Sequence, residues 1–483
     1  MKTKTLFVLL FSALFISGAN CEIRLPAVIG DHMTLQQNTK TNLWGWADAG
    51  KEVSVRCSWN NNTYTTKAGN DGKWILALNT PSAGGPYEIV ISDGKEIKIN
   101  NVMIGEVWLC SGQSNMEMPV SGVGNGDYVE YAQEFITLAC PSRPLRMIQL
   151  ERRYSVTPLD DCKAEWMTNN PESVGKISAA AYFFADYVQK TLNVPVGIIV
   201  TSFGGSNIET WMDEPTLKKT FPDTDFSILK NESEYEKIPF QTPTLLFNAM
   251  IMPLKNYAVK GVIWYQGESN IGSYQKYPAL QKAMVGLWRE LFNNPEMPYY
   301  FTQIAPFRYN DVVDNRKSAF LQEAQFRSMN EIENSGMVAT VDIGDERSIH
   351  PQKKREVGER LAYWALGNTY GLPIKYKSPY YKSMETEEGK IIVYFEECDK
   401  GLHNGQGRSA SITGFEIAGD DKVFHPAEAK ILNNKGASAI EVSHPDVKNP
   451  VAVRYCFKNY QPGYLYNNYG LPLVPFRTDN WDK

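Results

Sequence analysis

An excess of charge of either sign is the first thing this sequence lacks. Its 49 Lys and Arg stand against 54 Asp and Glu, which leaves no basic footprint, and nucleic acid is excluded as an expected partner. Past the first 21 residues no apolar run approaches the length of a membrane span. There is no Cys-x-x-Cys pair and no His/Cys spacing that suits zinc, so no metal is expected. Histidine is scarce, with His32, His350, His403, His425 and His444 making up the five, so the choice of a general base is a short one.

What is present is a chain too long for one ordinary domain, 43% hydrophobic and 21% charged, so two or three globular units are expected. Residues 1–21 read as a secretory signal: Lys2 and Lys4 form the positive region, Leu6–Ile16 the apolar run, and Ser17-Gly18-Ala19 the small residues for cleavage. A secreted or periplasmic destination follows. Lipid attachment at Cys21 is the alternative, and Asn20 before it counts against that. Six cysteines remain beyond the signal, and an oxidising compartment makes Cys140–Cys162 and Cys398–Cys456 the pairings to test. The 26 Tyr and 11 Trp suit a carbohydrate site, although cores and interfaces use such rings equally.

The order of elements divides the chain. Residues 22–100 carry short runs such as Asn42–Trp46, Glu52–Trp59, Lys73–Leu78 and Tyr87–Ile91, split by Gly/Asn/Asp turns, which predicts a small β-sandwich. From 101 to 374 strands alternate with helices. Strands are predicted at Val102–Cys110, Leu145–Leu150, Val196–Thr201, Val259–Tyr265, Tyr299–Ile304 and Met337–Asp342. Helices are predicted at Ile177–Thr191, Leu245–Tyr257, Tyr277–Asn293, Ser318–Ile332 and Lys353–Leu366. That alternation predicts an α/β unit with a doubly wound, mostly parallel sheet, and such sheets bind ligands beyond the carboxyl ends of their strands. Residues 213–243 read as an insertion near the site. Residues 375–483 return to strands and predict a C-terminal β-rich domain.

Four polar clusters follow four of the predicted strands. The stretch Gly105–Met118 runs from apolar Val107-Trp108-Leu109-Cys110 into Ser111-Gly112-Gln113-Ser114-Asn115. By itself this is as much an ordinary turn as a nucleophile mount. Ser202 to Asn207, Gln266 to Asn270 and Asp345 to His350 are the other three. A serine at its normal pKa needs a base within hydrogen-bond reach, and His350 alone among the histidines lies in the α/β region. Acyl transfer also needs donors aimed at the developing oxyanion. Backbone N–H groups at Gly204 or Gly205, the Gln266 amide and the Ser114 N–H are the candidates. Glu268 is expected to hold Gln266 or a neighbouring loop, or to act as a capping acid. The Gly-Gln-Ser-Asn turn is unlike the Gly-x-Ser-x-Gly elbow, which counts against a lipase or peptidase.

With those residues in view the chain resembles the SGNH hydrolase superfamily, and within it the sialate O-acetylesterase family of carbohydrate esterases. The motifs that carry the resemblance are Gly112-Gln113-Ser114-Asn115-Met116, Gly204-Gly205-Ser206-Asn207-Ile208-Glu209-Thr210-Trp211, Trp264-Tyr265-Gln266-Gly267-Glu268-Ser269-Asn270 and Ile349-His350-Pro351. It extends to Leu35-Gln36-Gln37 with Trp44-Gly45-Trp46, and to Pro475-Phe476-Arg477-Thr478-Asp479. The resemblance implies an SGNH-like sheet and removal of acetyl groups from an O-acetylated glycan or sialic acid, without a cofactor. It implies Ser114 as nucleophile, His350 as base and Gln266 where the superfamily often has an asparagine. One position departs from the pattern. The superfamily commonly has its aspartate three residues before the histidine, and Arg347 stands there. Asp345 is expected in its place, with Asp342 next and a Ser–His dyad as the third option. Acetylated xylan or another plant polysaccharide is the alternative substrate, with specificity expected in 119–172 and 213–243. A secreted glycan-binding protein without catalysis is the alternative of another class.

Overall fold

The computed structural model describes residues 22–309, 316–405, 411–434 and 437–481. Residues 1–21, where the secretory signal and Cys21 are expected, lie outside the described residues. Among the described residues no helix is long and apolar enough to cross a membrane.

The amino-terminal strands are β1 (Thr34–Gln36), β2 (Lys40–Trp46), β3 (Glu52–Cys57), β4 (Thr63–Lys67), β5 (Lys73–Asn79) and β6 (Gly84–Ser92). In β5 the residues Trp74, Leu76 and Leu78 point inward while their neighbours are exposed. That alternation marks a sheet with one face on a core. The next strand, β7 (Glu96–Gly112), is 17 residues long and serves two sets of partners in turn, β6 and β1 and then β10 and β11. Its first part pairs antiparallel with β6, and its last part, from Glu106 on, lies at the centre of the α/β sheet. A boundary at residues 100/101 therefore falls inside one continuous strand. Side chains from both sides of it, including Val53, Ile91, Val107 and Ile199, share one hydrophobic core.

The α/β sheet adds β8 (Leu145–Gln149), β9 (Trp166–Thr168), β10 (Val196–Ser202), β11 (Gly261–Tyr265), β12 (Tyr299–Thr302) and β13 (Ser335–Val338). Their order is β13-β12-β11-β7-β10-β8-β9. Every pair is parallel except β8–β9. The chain starts at β7, fills one side through β8 and β10, then crosses to β11, β12 and β13. The reversal places a crevice at the carboxyl end of β7, between β10 and β11. Strands covered on both faces read as unbroken apolar runs, and β10 is buried at all seven positions.

The helix Ala179–Leu192 packs against the helix Lys354–Trp364. A Cβ added at Gly358 would lie 2.6 Å from Phe183 Cβ and 2.8 Å from the Ala180 carbonyl, so this crossing needs glycine. Ser178 caps the first helix by accepting from the Ala181 N–H, and its hydroxyl donates to the Met116 carbonyl at 2.5 Å. One helix expectation fails. Leu245–Tyr257 is a π turn over Phe247–Ile251 followed by a 3-10 turn over Met252–Leu254. Pro253, which lacks a donor, interrupts the α ladder.

The carboxyl-terminal segment is β-rich, with two four-stranded sheets around its own core. The disulfide expectation is also corrected: among the described residues no disulfide joins Cys140 to Cys162 or Cys398 to Cys456. Cys140 is exposed and meets the Ser142 hydroxyl, while Cys162 is buried.

Candidate active site

The turn after β7 depends on Gly112. Its φ of +144° suits glycine, and a Cβ there would lie 2.1 Å from the Tyr265 carbonyl of neighbouring β11. The Gln113 N–H then donates to that same carbonyl at 3.0 Å. Gln113 Oε1 in turn accepts from the Gly267 N–H. Ser114 follows, opening the one-turn helix Ser114–Glu117, so its N–H has no partner within the helix.

His350 arrives from beyond β13, on a stretch from Asp345 to Lys353 that belongs to no helix or strand. Its Nε2 lies 2.9 Å from Ser114 Oγ. Its Nδ1 lies 2.7 Å from Asp127 Oδ2. The expectation that Asp345 orients the imidazole is therefore corrected. The Asp345 carboxylate accepts from the backbone N–H groups of Arg347 and Ser348, closing a local turn. Asp342 is engaged as well, in a buried two-point pair with Arg360 at 2.8 and 2.6 Å. Asp127 comes from the irregular stretch between Glu117 and Ala132, where Gly122, Gly124 and Gly126 all have positive φ. Ser348 steadies it, donating to Asp127 Oδ1 at 2.6 Å while accepting from the His350 N–H at 3.0 Å. Burial pushes the Asp127 carboxyl up. The hydrogen bonds from Ser348 and His350, and the charges of His350 and Lys354, outweigh it and hold the group below its ordinary value.

The turn after β10 lies beside the serine. The Gly204 N–H donates to Glu117 Oε2 at 2.9 Å and so is committed. Gly205, at φ +76°, has an N–H that donates to no group among the described residues. Glu117 also holds Arg152 through Nε and Nη2, at 2.5 and 2.6 Å. A Cβ on Gly204 would sit 3.4 Å from Arg152 Nη2 and 3.6 Å from Ser114 Cβ, which places that guanidinium next to the serine. Phe203 stacks on Phe240 from the 213–243 insertion, ring centroids 6.1 Å apart.

Gln266 does not present its amide to the site. It is fully buried, its Nε2 donates to the Ser206 carbonyl at 2.9 Å and to Asn270 Oδ1 at 2.7 Å, and its Oε1 accepts from Tyr277. Both of its donor hydrogens are used, so the oxyanion expectation for Gln266 is corrected to one of loop anchoring. Glu268 holds Asn115 rather than Gln266, with Oε1 2.6 Å from Asn115 Nδ2.

The sheet position, the Ser–His–Asp line and the free N–H groups together suit acyl transfer. The model of the carbohydrate esterase, sialic acid-specific acetylesterase family matches residues 104–366, more than half of the chain and all of this site. The chain belongs to this family of carbohydrate esterases. It is similar to the sialate O-acetylesterase of Rattus norvegicus, 28% identical over 76% of this chain and 77% of that one. The sialate O-acetylesterase of Homo sapiens is 26% identical over 95% of this chain and 93% of that one. Among solved structures, a carbohydrate acetylesterase from Xanthomonas citri superposes with a TM-score of 0.84 at 33% identity, covering 95% of this chain and all of that one. The protein is thus an esterase, with an α/β core of the carbohydrate-esterase kind.

Of the residues marked from sequence, this esterase brings together Ser114 and His350, with Gly204 beside Ser114, Gly205 next in the same turn, and Glu268 one contact away through Asn115. Asp127, Ser348, Asn115, Lys354 and Glu117 were missed. Asn115 and Glu117 stand within or beside the Gly-Gln-Ser-Asn motif, and polar residues that accompany a motif were the available signal. Among the described residues no group of three or more His, Cys, Asp and Glu is arranged to hold a metal ion.

Proposed function

We propose that this esterase removes acetyl groups from sugar hydroxyls by a serine mechanism, with an O-acetylated sialic acid as the substrate. The observation that carries the reading is the continuous line from Ser114 Oγ through His350 to Asp127, 2.9 and 2.7 Å, at the carboxyl edge of the sheet.

In the first step the Ser114 hydroxyl attacks the acetyl carbonyl while His350 Nε2 takes its proton. Asp127 accepts from the imidazole N–H at Nδ1, fixing the tautomer and favouring the imidazolium that forms. The Gly205 and Ser114 N–H groups receive the oxyanion. The sugar alkoxide leaves with the proton from His350, giving a Ser114 acetyl ester and the free sugar. Water, activated by the same histidine, then attacks that ester and releases acetate.

A neutral acetylated polysaccharide such as xylan is the second reading, and one observation favours it. Arg152, the cation beside Ser114, is already matched by the Glu117 carboxylate. A site for an anionic sugar gains more from an uncompensated cation. Acetate release from O-acetylated sialic acid and from acetylated xylan, measured side by side with Ser114→Ala as control, separates the two. Serine-dependent release from the first alone supports sialate, and from the second alone supports the neutral sugar. No release from either, nor from an aryl acetate, overturns the enzymatic reading in favour of a binding protein.

A further inference from the structure

Two buried charged groups beneath the site have no part in the steps above. Lys354, the first residue of the helix Lys354–Trp364, is completely buried, and Glu268 is nearly so. Burying an ion is costly unless partners compensate, so two retained together need a reason.

Their partners suggest one. Lys354 Nζ donates to the Pro351 carbonyl at 2.6 Å and to Asn115 Oδ1 at 2.8 Å. Asn115 Nδ2 donates to the Ile349 carbonyl at 3.0 Å and to Glu268 Oε1 at 2.6 Å. The backbone carbonyls immediately before and after His350 are thus both gripped by one chain of contacts. That chain begins at the residue next to Ser114. No helix or strand holds His350, so these contacts, with Ser348 and Asp127, are what fix its place. Glu268 Oε2 meets no hydrogen-bond partner among the described residues, and the Glu268 charge acts on Lys354 through space.

We propose that Lys354 is a positioning residue for the deacetylation: with the Asn115 amide it clamps the carbonyls on either side of His350 and so holds the imidazole at Ser114, and Glu268 is its buried countercharge. The proposal rests on the serine mechanism given above.

The charge of Lys354 is finely poised. Burial drives it down to about 7, opposed by Glu268 and Asp127. Burial raises Glu268, against the Asn115 hydrogen bond and the charges of Lys354 and His350. The groups facing the ammonium are Glu268, Asp127 and the Tyr265 ring, whose centroid is 5.9 Å away. As pH rises through neutrality Lys354 loses its charge, so both of its contacts lose their charge assistance and the clamp weakens. Turnover is then lost on an alkaline limb that belongs to Lys354.

The test uses the full chain, an aryl acetate, and kcat and KM measured across pH, with a thermal melt to verify folding. Lys354→Met is expected to fold, to lose roughly 100-fold in kcat with KM little changed, and to lack the alkaline limb, since a displaced catalytic group costs rate on that scale. Lys353→Met, at the neighbouring position, is expected to behave as wild type. Glu268→Gln keeps shape but removes the countercharge, so it moves the alkaline limb to lower pH, and it serves if Lys354→Met does not fold. A folded Lys354→Met with near-normal kcat, or an alkaline limb that Glu268→Gln leaves in place, overturns the proposal. Failure of the serine mechanism itself reads differently: Ser114→Ala would then retain wild-type activity.

Discussion

The carboxylate of Asp127 lies 2.7 Å from Nδ1 of His350, although 223 positions separate the two in the chain. The loop carrying Asp127 follows the nucleophile turn by only a few residues, while His350 comes from the far side of the sheet. Folding the sheet is therefore what assembles the line. Each end of it also has local support, from Ser348 on one side and from Glu117 and Asn115 on the other.

That relationship makes a comparison of two aspartates decisive. Asp127→Asn keeps the shape but can stabilise neither the needed tautomer nor the imidazolium, and kcat is expected to fall by up to about 10⁴. Asp345→Asn keeps an oxygen to accept from the Arg347 and Ser348 N–H groups, and kcat is expected to stay close to wild type. Steady-state kinetics on an aryl acetate reads both. Equal losses would remove Asp127 from the triad.

Gln266 offers a test of anchoring against catalysis. Gln266→Ala leaves the buried Ser206 carbonyl without its amide donor, while Asn270 Oδ1 keeps the Ile208 N–H and the Tyr277 hydroxyl keeps the backbone carbonyl of residue 266. Each buried polar group left unpaired costs about 1–3 kcal/mol. The urea midpoint should therefore drop clearly. An unchanged midpoint combined with a kcat loss of roughly 10²–10³ would restore Gln266 as an oxyanion donor.

The alternation of strand and helix was legible because each covered strand is a short apolar run and each helix carries its own period. Ser114 and His350 were legible for a related reason: both follow strand ends, and histidine is scarce. Asp127 was not. It sits in a glycine-rich loop with no periodicity, and nothing local says which of the nearby acids the imidazole will meet. The role of Gln266 was misread because a polar amide at a strand end looks available in sequence, which does not show the groups it binds. The division at residue 100 falls inside β7, a single strand with two sets of partners, and local patterning does not record a change of partner. Even cysteine count and an apolar leader pointed to disulfides that the geometry does not contain.

Gly205→Ala tests one of the two proposed oxyanion donors. At φ +76° an alanine is strained, and its Cβ would meet the Phe240 ring at 3.2 Å. The turn must shift, and its N–H with it. Loss of one oxyanion donor lowers kcat by roughly 10²–10³, with KM much less affected. A Gly205→Ala protein of normal kcat would show that this N–H does not receive the oxyanion.

The carboxyl-terminal motif makes its contribution through stability. Arg454 and Asp479 form a two-point ion pair at 2.7 Å each, with side chains 1% and 0% exposed. Burial pushes Asp479 up, but the Arg454 hydrogen bond, the Trp481 N–H and the charges of Arg454 and Arg477 hold it below its ordinary value. Removing one partner of such a pair leaves a buried charge alone, so Asp479→Ala is expected to cost about 3–5 kcal/mol in urea unfolding. The pH dependence has a definite sign. A carboxyl depressed in the folded state contributes fully above its unfolded pKa, about 3.9, and that contribution is lost as pH falls through the lower folded value. Wild-type protein should therefore lose stability below about pH 4 more steeply than Asp479→Asn, whose side chain does not titrate. Parallel slopes for the two proteins would mean that the pair contributes nothing to acid unfolding and that other carboxylates carry it.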